Sequence, residues 1–211
     1  MIYLSGIVSW FIRQRIKSIQ EWRDYPFDAQ ARVFQQLTGF ARETEIGRKY
    51  DFSSIKYPDE FRQRVPICDY DSAKQFIQRM LAGEKNILWP TEVNWFAKSS
   101  GTTSDVSKLL PVSNEALEDC HFRGGMDILS AYVNNNPDSK IFNGKGLIVG
   151  GSHKVHQHNE KILIGDLSAV LMQNLKFYAQ WYRTPDLGIA LMDDWEQKVD
   201  AMARNTVGED V

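Results

Sequence analysis

The chain has 211 residues, 43% hydrophobic and 25% charged, with a formal net charge of -2. That length can bury a sizeable core, and the composition is that of an ordinary globular chain. The near-neutral charge leaves no electrostatic footprint for nucleic acid, and the two cysteines, Cys68 and Cys120, follow no zinc spacing, so free thiols in the cytoplasm are expected.

Met1 to Ile12 is apolar but too short to span a bilayer. Its positive charges, Arg13, Arg15 and Lys17, follow the apolar run, whereas a secretory signal carries them in front. The spacing of Leu4, Ile7, Val8, Phe11 and Ile12 predicts a helix with one apolar face. Docking of that face on the protein itself is the expectation, and a membrane-surface helix is the alternative.

Asp28 is a candidate N-cap for a helix carrying Ala31, Phe34, Leu37 and Ala41. Lys49 to Pro58 reads as a turn-rich connector. Tyr57-Pro58-Asp59-Glu60 starts a helix that stops before Val65-Pro66. Asp71 or Ser72 is expected to cap a helix through Phe76, Ile77, Met80 and Leu81, closed by Gly83. Trp89-Pro90 marks a turn and Val93 to Ala97 a strand. Ser113 and Asn114 are cap candidates for a helix to about Val133, and Asn134 to Asp138 is a break. Gly146 to Gly150 reads as a short buried strand, and helices are predicted over Leu167 to Tyr178 and Asp194 to Arg204. Strands separated by helices imply an α/β layer with a mainly parallel sheet. Residues 1–90 are mainly helical in this reading, and 91–211 form the α/β portion.

The most informative stretch is Ser99-Ser100-Gly101-Thr102-Thr103-Ser104-Asp105-Val106-Ser107-Lys108. It stands between the predicted strand and the helix near Ser113. Gly101 allows backbone N–H groups to converge on an anion, the Ser and Thr hydroxyls add donors, and Lys108 adds a positive charge. It is not a Walker A loop, because no second Gly stands before the lysine and Leu109 follows it. A polar loop whose Ser and Thr residues only make turns has the same composition, so residue types alone leave both readings open.

SSGTTSDVSKLLPVS resembles the nucleotide-phosphate motif of the acyl-acid amido synthetases, the auxin-responsive-promoter family of adenylate-forming enzymes. Its lysine stands where that branch places it, followed by Leu109-Leu110-Pro111. The likeness continues upstream through Val65-Pro66, Tyr70-Asp71, Gly83-Glu84 and Asn86 to Pro90, and covers most of the chain. Asp105 departs from it, since plant members often carry Gly there.

The resemblance implies the helix-rich N-terminal portion of an adenylate-forming large domain. It implies ATP and Mg2+ as cofactors, with a carboxylic acid and an amine or amino acid as substrates. It assigns Ser99, Ser100, Gly101, Thr102, Thr103 and Ser104 to the β- and γ-phosphates, and Lys108 to the catalytic role of binding them as a mobile charge. Family members are more than twice as long, so this chain is expected to be an N-terminal fragment, inactive alone and prone to self-association. A natural short protein is the alternative on length. On function, the alternative is a non-catalytic α/β module that binds a phosphorylated ligand or a protein partner.

Two other clusters stand out. His153, His156 and His158 hold three of the four histidines. A polar loop beside Gly150-Gly151-Ser152 accounts for them better than a metal site, and no metal ligand is assigned; a role toward a substrate carboxylate is a weaker reading. Asn174 to Arg183 is rich in aromatic and basic residues. A base-stacking surface is conceivable, but a core helix with a wet edge is the expectation.

Overall fold

The computed structural model describes residues 2–99, 107–151 and 156–211. Six α-helices precede the first strand: α1 (Ile2–Arg13), α2 (Ile16–Asp24), α3 (Pro26–Ala41), α4 (Glu45–Lys49), α5 (Pro58–Arg64) and α6 (Tyr70–Leu81). Proline sets the start of α3, because Pro26 takes the first helical position, where a missing N–H costs nothing. Asp28, the predicted cap, lies instead in the first turn, where its charge faces the positive helix end. Helix α5 starts and stops where the sequence indicated. Glu60 Oε2 accepts from the N–H groups of Lys56 at 2.7 Å and Tyr57 at 3.3 Å, satisfying donors ahead of the helix. Helix α6 begins earlier than predicted. Its cap is Asp69, whose Oδ1 accepts from the Ser72 N–H at 2.9 Å, rather than Asp71 or Ser72. Gly83 then takes φ +92°, a conformation that ends the helix without steric cost.

Beyond α6 come β1 (Trp95–Lys98), β2 (Leu109–Val112), a π-helical stretch Ala116–Phe122 running into α7 (Arg123–Asn135), β3 (Gly146–Leu147), β4 (His156–Gln157), β5 (Leu163–Asp166), α8 (Leu167–Gln173), β6 (Arg183–Thr184), α9 (Leu187–Ala190) and α10 (Trp195–Thr206). The main sheet has the order β2-β1-β5-β4. Its central pair, β1 and β5, is parallel, with Lys98 opposite Asp166. The outer pairs are antiparallel, so the sheet is mixed where the sequence reading expected it mainly parallel. The reason is connection length. The loop after β1 and the turn between β4 and β5 are short, and short connections reach only an antiparallel neighbour.

Both faces of the central pair are covered. Phe96, fully buried, packs with Ile77 and Met80 of α6. Its neighbour Ala97 joins Val112, Leu117 and Val170 on the opposite face, as alternation along a strand requires. A separate cluster holds Ala41, Phe52 and Ile55 against Phe34, Phe61 and Trp89. Helix α1 packs on α7 and buries Ile12, while Ile7, Trp10 and Phe11 stay exposed. No helix among the described residues is long and apolar enough to cross a membrane.

Two expectations fail in this half. Gly146 to Gly150 is not a buried strand: only Gly146 and Leu147 pair, with the two-residue β6, and Leu147 is 51% exposed. Asn174 to Arg183 is not a core helix. Asn174 ends α8, its Nδ2 donating to Val170 O at 2.8 Å. A 3-10 turn Phe177–Tyr182 follows, in which Phe177, Tyr178 and Trp181 are exposed and Phe177 meets each of the other two rings edge-on at 5.7 Å.

Candidate functional site

The predicted loop does not run from a strand straight into a helix. Strand β2 intervenes, so the loop joins two antiparallel strands, and the helical stretch begins only after Ser113. Ser113 Oγ accepts from the Ala116 N–H at 3.1 Å, in keeping with its reading as a cap. No helix N-terminus therefore follows the loop directly, and any anion there depends on loop N–H groups, hydroxyls and lysine.

Of the predicted phosphate-binding residues, Ser100, Gly101, Thr102, Thr103 and Ser104 lie outside the described residues. Ser99 and Lys108 are described, and they close the base of the loop. Ser99 N–H donates to Lys108 O at 2.9 Å, and Lys108 N–H donates to Ser99 Oγ at 3.3 Å. The pair extends the β1–β2 ladder by one step beyond Lys98 and Leu109, so the loop emerges from a fixed stem.

The stem is held from below by Tyr70, the first residue of α6. Its hydroxyl accepts from the Leu109 N–H at 2.9 Å and donates to Leu109 O at 3.3 Å. The Lys108 ammonium lies 5.3 Å from the centre of the Tyr70 ring, a cation–π distance. Asp69 is close enough to feel that charge. Its carboxyl is held below the usual range, first by the Ser72 hydroxyl, then by the Ser72 N–H, with Lys108 a smaller contribution. Among the described residues Lys108 forms no ion pair. A cation fixed at a loop stem is suited to an anionic ligand. The sequence reading missed Tyr70 as a site residue, although Tyr70-Asp71 stood among the matches; nothing in a lone tyrosine at a helix start marks it as a loop anchor.

The stem stands at the C-terminal end of β1, and β5 ends beside it at Asp166. The carboxyl ends of neighbouring parallel strands are where open α/β sheets place ligands. The turn Gly150-Gly151 comes to the same edge, with the Gly151 N–H donating to Ser168 Oγ at 3.1 Å just after β5. A cleft of about 380 Å3 opens at the other end of these strands, lined by Gly83, Asn86, Glu92, Asn159 and Lys161. Within it Lys85 and Lys161 both reach Glu92, at 3.4 and 3.7 Å.

Of the histidine cluster, His153 lies outside the described residues, His156 stands in β4, and the His158 N–H donates to Ile162 O at 2.7 Å within the β4–β5 turn. Among the described residues no three acidic, histidine or cysteine side chains gather into a metal site.

The model of the GH3 family N-terminal domain matches residues 15–211. The chain belongs to the GH3 family. Among similar proteins, the indole-3-acetic acid-amido synthetase GH3.4 of Arabidopsis thaliana is 25% identical over 174 residues, covering 81% of this chain and 28% of that protein. The indole-3-acetic acid-amido synthetase GH3.17 of the same plant is 31% identical over 115 residues, covering 53% and 19%. The jasmonoyl--L-amino acid synthetase JAR6 of Nicotiana attenuata is 25% identical over 166 residues, covering 76% and 28%. The solved structure of the GH3.15 acyl acid amido synthetase superposes with a TM-score of 0.75 at 17% identity, over 92% of this chain and 34% of that one. That likeness establishes the fold, which is helix-rich as expected and carries a small mixed sheet. The GH3 chain described here spans less than a third of the length of these curated relatives.

Proposed function

We propose that these 211 residues are the phosphate-binding N-terminal portion of an ATP-dependent acyl-acid amido synthetase. In the reaction a carboxylate oxygen attacks the α-phosphorus of ATP and pyrophosphate leaves. An amine nitrogen then attacks the acyl carbon, the amide forms, and AMP and a proton are released. The single observation that carries the reading is the closed loop stem, with Ser99 and Lys108 bonded to each other at the end of β1 and Lys108 in no ion pair among the described residues.

The chemistry needs fixed positive charge, because both the attacking carboxylate and the attacked phosphate are anionic. In this reading Lys108 meets the β- and γ-phosphates, Ser99 anchors the loop, and Ser100, Gly101, Thr102, Thr103 and Ser104 supply hydroxyl and N–H donors. The donor set suits a triphosphate. Mg2+ would be held chiefly by the phosphates, where it neutralises charge on the leaving group. The exposed free thiols of Cys68 and Cys120 suit the cytoplasm.

The reading is tested by supplying the full-length protein with ATP, Mg2+, a panel of aryl and alkyl carboxylic acids and the amino acids, and following AMP and amide by mass spectrometry. AMP formed in step with an amide supports it. ATP left intact with every pair overturns it. The isolated 211 residues are expected to show no useful turnover, since phosphate contacts alone give affinity without orientation.

A further inference from the structure

Helix α1 stands outside the residues that the GH3 family model matches, which begin at residue 15. It is apolar on two sides. Ile12 is buried where α1 packs on α7, and Val8, one turn earlier on the same face, is half-buried. Ile7, Trp10 and Phe11 recur at helical spacing on the outer face and are 64%, 63% and 67% exposed. Among the described residues nothing covers them, and two bulky rings side by side on an open helix face mark a place of contact.

The charge around this face has one sign. Residues 1–20 hold Arg13, Arg15 and Lys17 and no acid. Arg15 pairs with Asp127 of α7, which ties the end of α1 to its seat and uses up that carboxylate. Arg13 donates to Pro137 O at 3.1 Å and, like the exposed Lys17, forms no ion pair among the described residues. The acids that follow are already matched, Glu21 by Arg32 at 3.0 Å and Asp24 by Arg23 at 2.8 Å. Asp138, beside the carbonyl that Arg13 reaches, stands two residues from Lys140.

We propose that α1 is a membrane-surface anchor: Ile7, Trp10 and Phe11 enter the boundary between headgroups and acyl chains of an anionic lipid bilayer, with Arg13 and Lys17 at the level of the lipid phosphates. At 12 residues the helix is too short to span, so it lies in the plane of the interface. Trp10 suits that depth, because an indole is apolar in body and keeps one N–H for a polar partner. Charge decides between a bilayer and a second copy of the chain. Two copies meeting through this face bring the same cations together, whereas anionic headgroups neutralise them. Three apolar side chains and two unpaired cations give reversible attachment that weakens as salt rises. Attachment through α1 needs no part of the adenylation chemistry.

The test mixes the full-length protein with vesicles of phosphatidylcholine alone and with vesicles in which about one third of the lipid is phosphatidylglycerol. Binding is read by co-sedimentation, and the oligomeric state by sedimentation velocity without lipid. Two variants are compared with the unsubstituted protein: Trp10→Ser combined with Phe11→Ser, and Lys17→Gln. The unsubstituted protein should bind the anionic vesicles about tenfold or more tightly than the neutral ones. The double variant should lose about tenfold or more in affinity for them. Lys17→Gln should lose about fivefold, the share of one cation near an anionic surface, and it carries the test if the double variant fails to fold. Failure to bind the anionic vesicles would overturn the proposal. Equal binding to both vesicles would overturn the choice of an anionic surface. Undiminished binding by both variants would place the contact on another face. A lipid-free dimer that the double substitution dissociates, without vesicle binding, would give the face to a second copy instead.

Discussion

The ring of Tyr70 lies beneath the ammonium of Lys108, 5.3 Å from centre to nitrogen, while the Tyr70 hydroxyl brackets the backbone of the next residue, Leu109. One side chain at the start of α6 thereby sets both the stem of the loop and the position of its charge. The two roles are separable. Tyr70→Phe removes the hydroxyl and leaves the ring, and should cost about 1–3 kcal/mol of folding stability in denaturant titration, with little change in ATP affinity. Tyr70→Leu removes the ring as well and should weaken ATP binding further, by roughly 0.5–1 kcal/mol. Equal ATP affinity in both variants would show that the ring does not hold Lys108.

The loop stem also depends on the layer beneath it. Phe96 is fully buried one face over from Ala97, against Ile77 and Met80. Phe96→Ala should lose about 3–5 kcal/mol of stability, because the surrounding helix and strands close only partly over the cavity. Equilibrium unfolding in urea measures this. A loss below about 1 kcal/mol would mean that α6 does not rest on β1.

Acid should loosen the link between the connector before β1 and the helix after β2. Glu115 Oε2 accepts from Trp89 Nε1 at 3.0 Å and from the Thr91 hydroxyl at 3.1 Å. Burial works to raise the Glu115 pKa. The opposing bonds from its own N–H, Trp89, Ser113 and Thr91 outweigh it, so the carboxyl sits below the usual range. A carboxyl depressed in the folded state contributes stability above its unfolded pKa, about 4.3, and loses it as pH falls through the folded value. Glu115→Gln should therefore flatten the stability profile below about pH 4.3 and leave its shape near neutrality unchanged. Parallel profiles for the two proteins across that window would show that Glu115 is not ionised in these bonds.

Gly150 offers a test of the tight turn that is independent of catalysis. Its missing side chain leaves room for Ala190 O, 2.6 Å from where a Cβ would sit. A backbone carbonyl at the end of α9 cannot swing aside as a flexible side chain would. Gly150→Ala should therefore cost about 1–3 kcal/mol in thermal or urea unfolding, the range for overpacking a well-filled site. A neutral substitution would show that α9 is free to shift.

The helical first half was legible in the sequence because its signals are local. Proline at the first position of α5, Glu60 three residues into a turn, and Gly83 after α6 each act within one helical turn, whereas the start of α3 was misplaced at Asp28 although Pro26 opens it. The Asp69 cap was missed by two residues because Asp71 and Ser72 have the same cap chemistry. What depends on distant contacts was harder to read. Strand β2 contains Pro111 and follows a polar loop, so nothing local separated it from the helix beyond. The aromatic run at Phe177–Tyr182 looks like core by composition, yet it lies on the surface, because only packing partners decide which way a ring faces. Lys198 is indistinguishable by residue type from the solvated lysines of any amphipathic helix. Its burial, with Nζ donating to Gly150 O and Gly151 O, appears only in the folded chain.

The central claim is that the loop closed by Ser99 and Lys108 holds the nucleotide phosphates, and the measurement that tests it most directly is acid-dependent pyrophosphate exchange by the full-length protein and its Lys108→Ala variant. Exchange reads formation of the acyl-adenylate alone and is blind to the amine step. The account predicts a loss of roughly ten- to a thousand-fold, equivalent to about 1.4–4 kcal/mol of transition-state stabilisation, with the melting temperature retained. An exchange rate equal to that of the unsubstituted protein would contradict it.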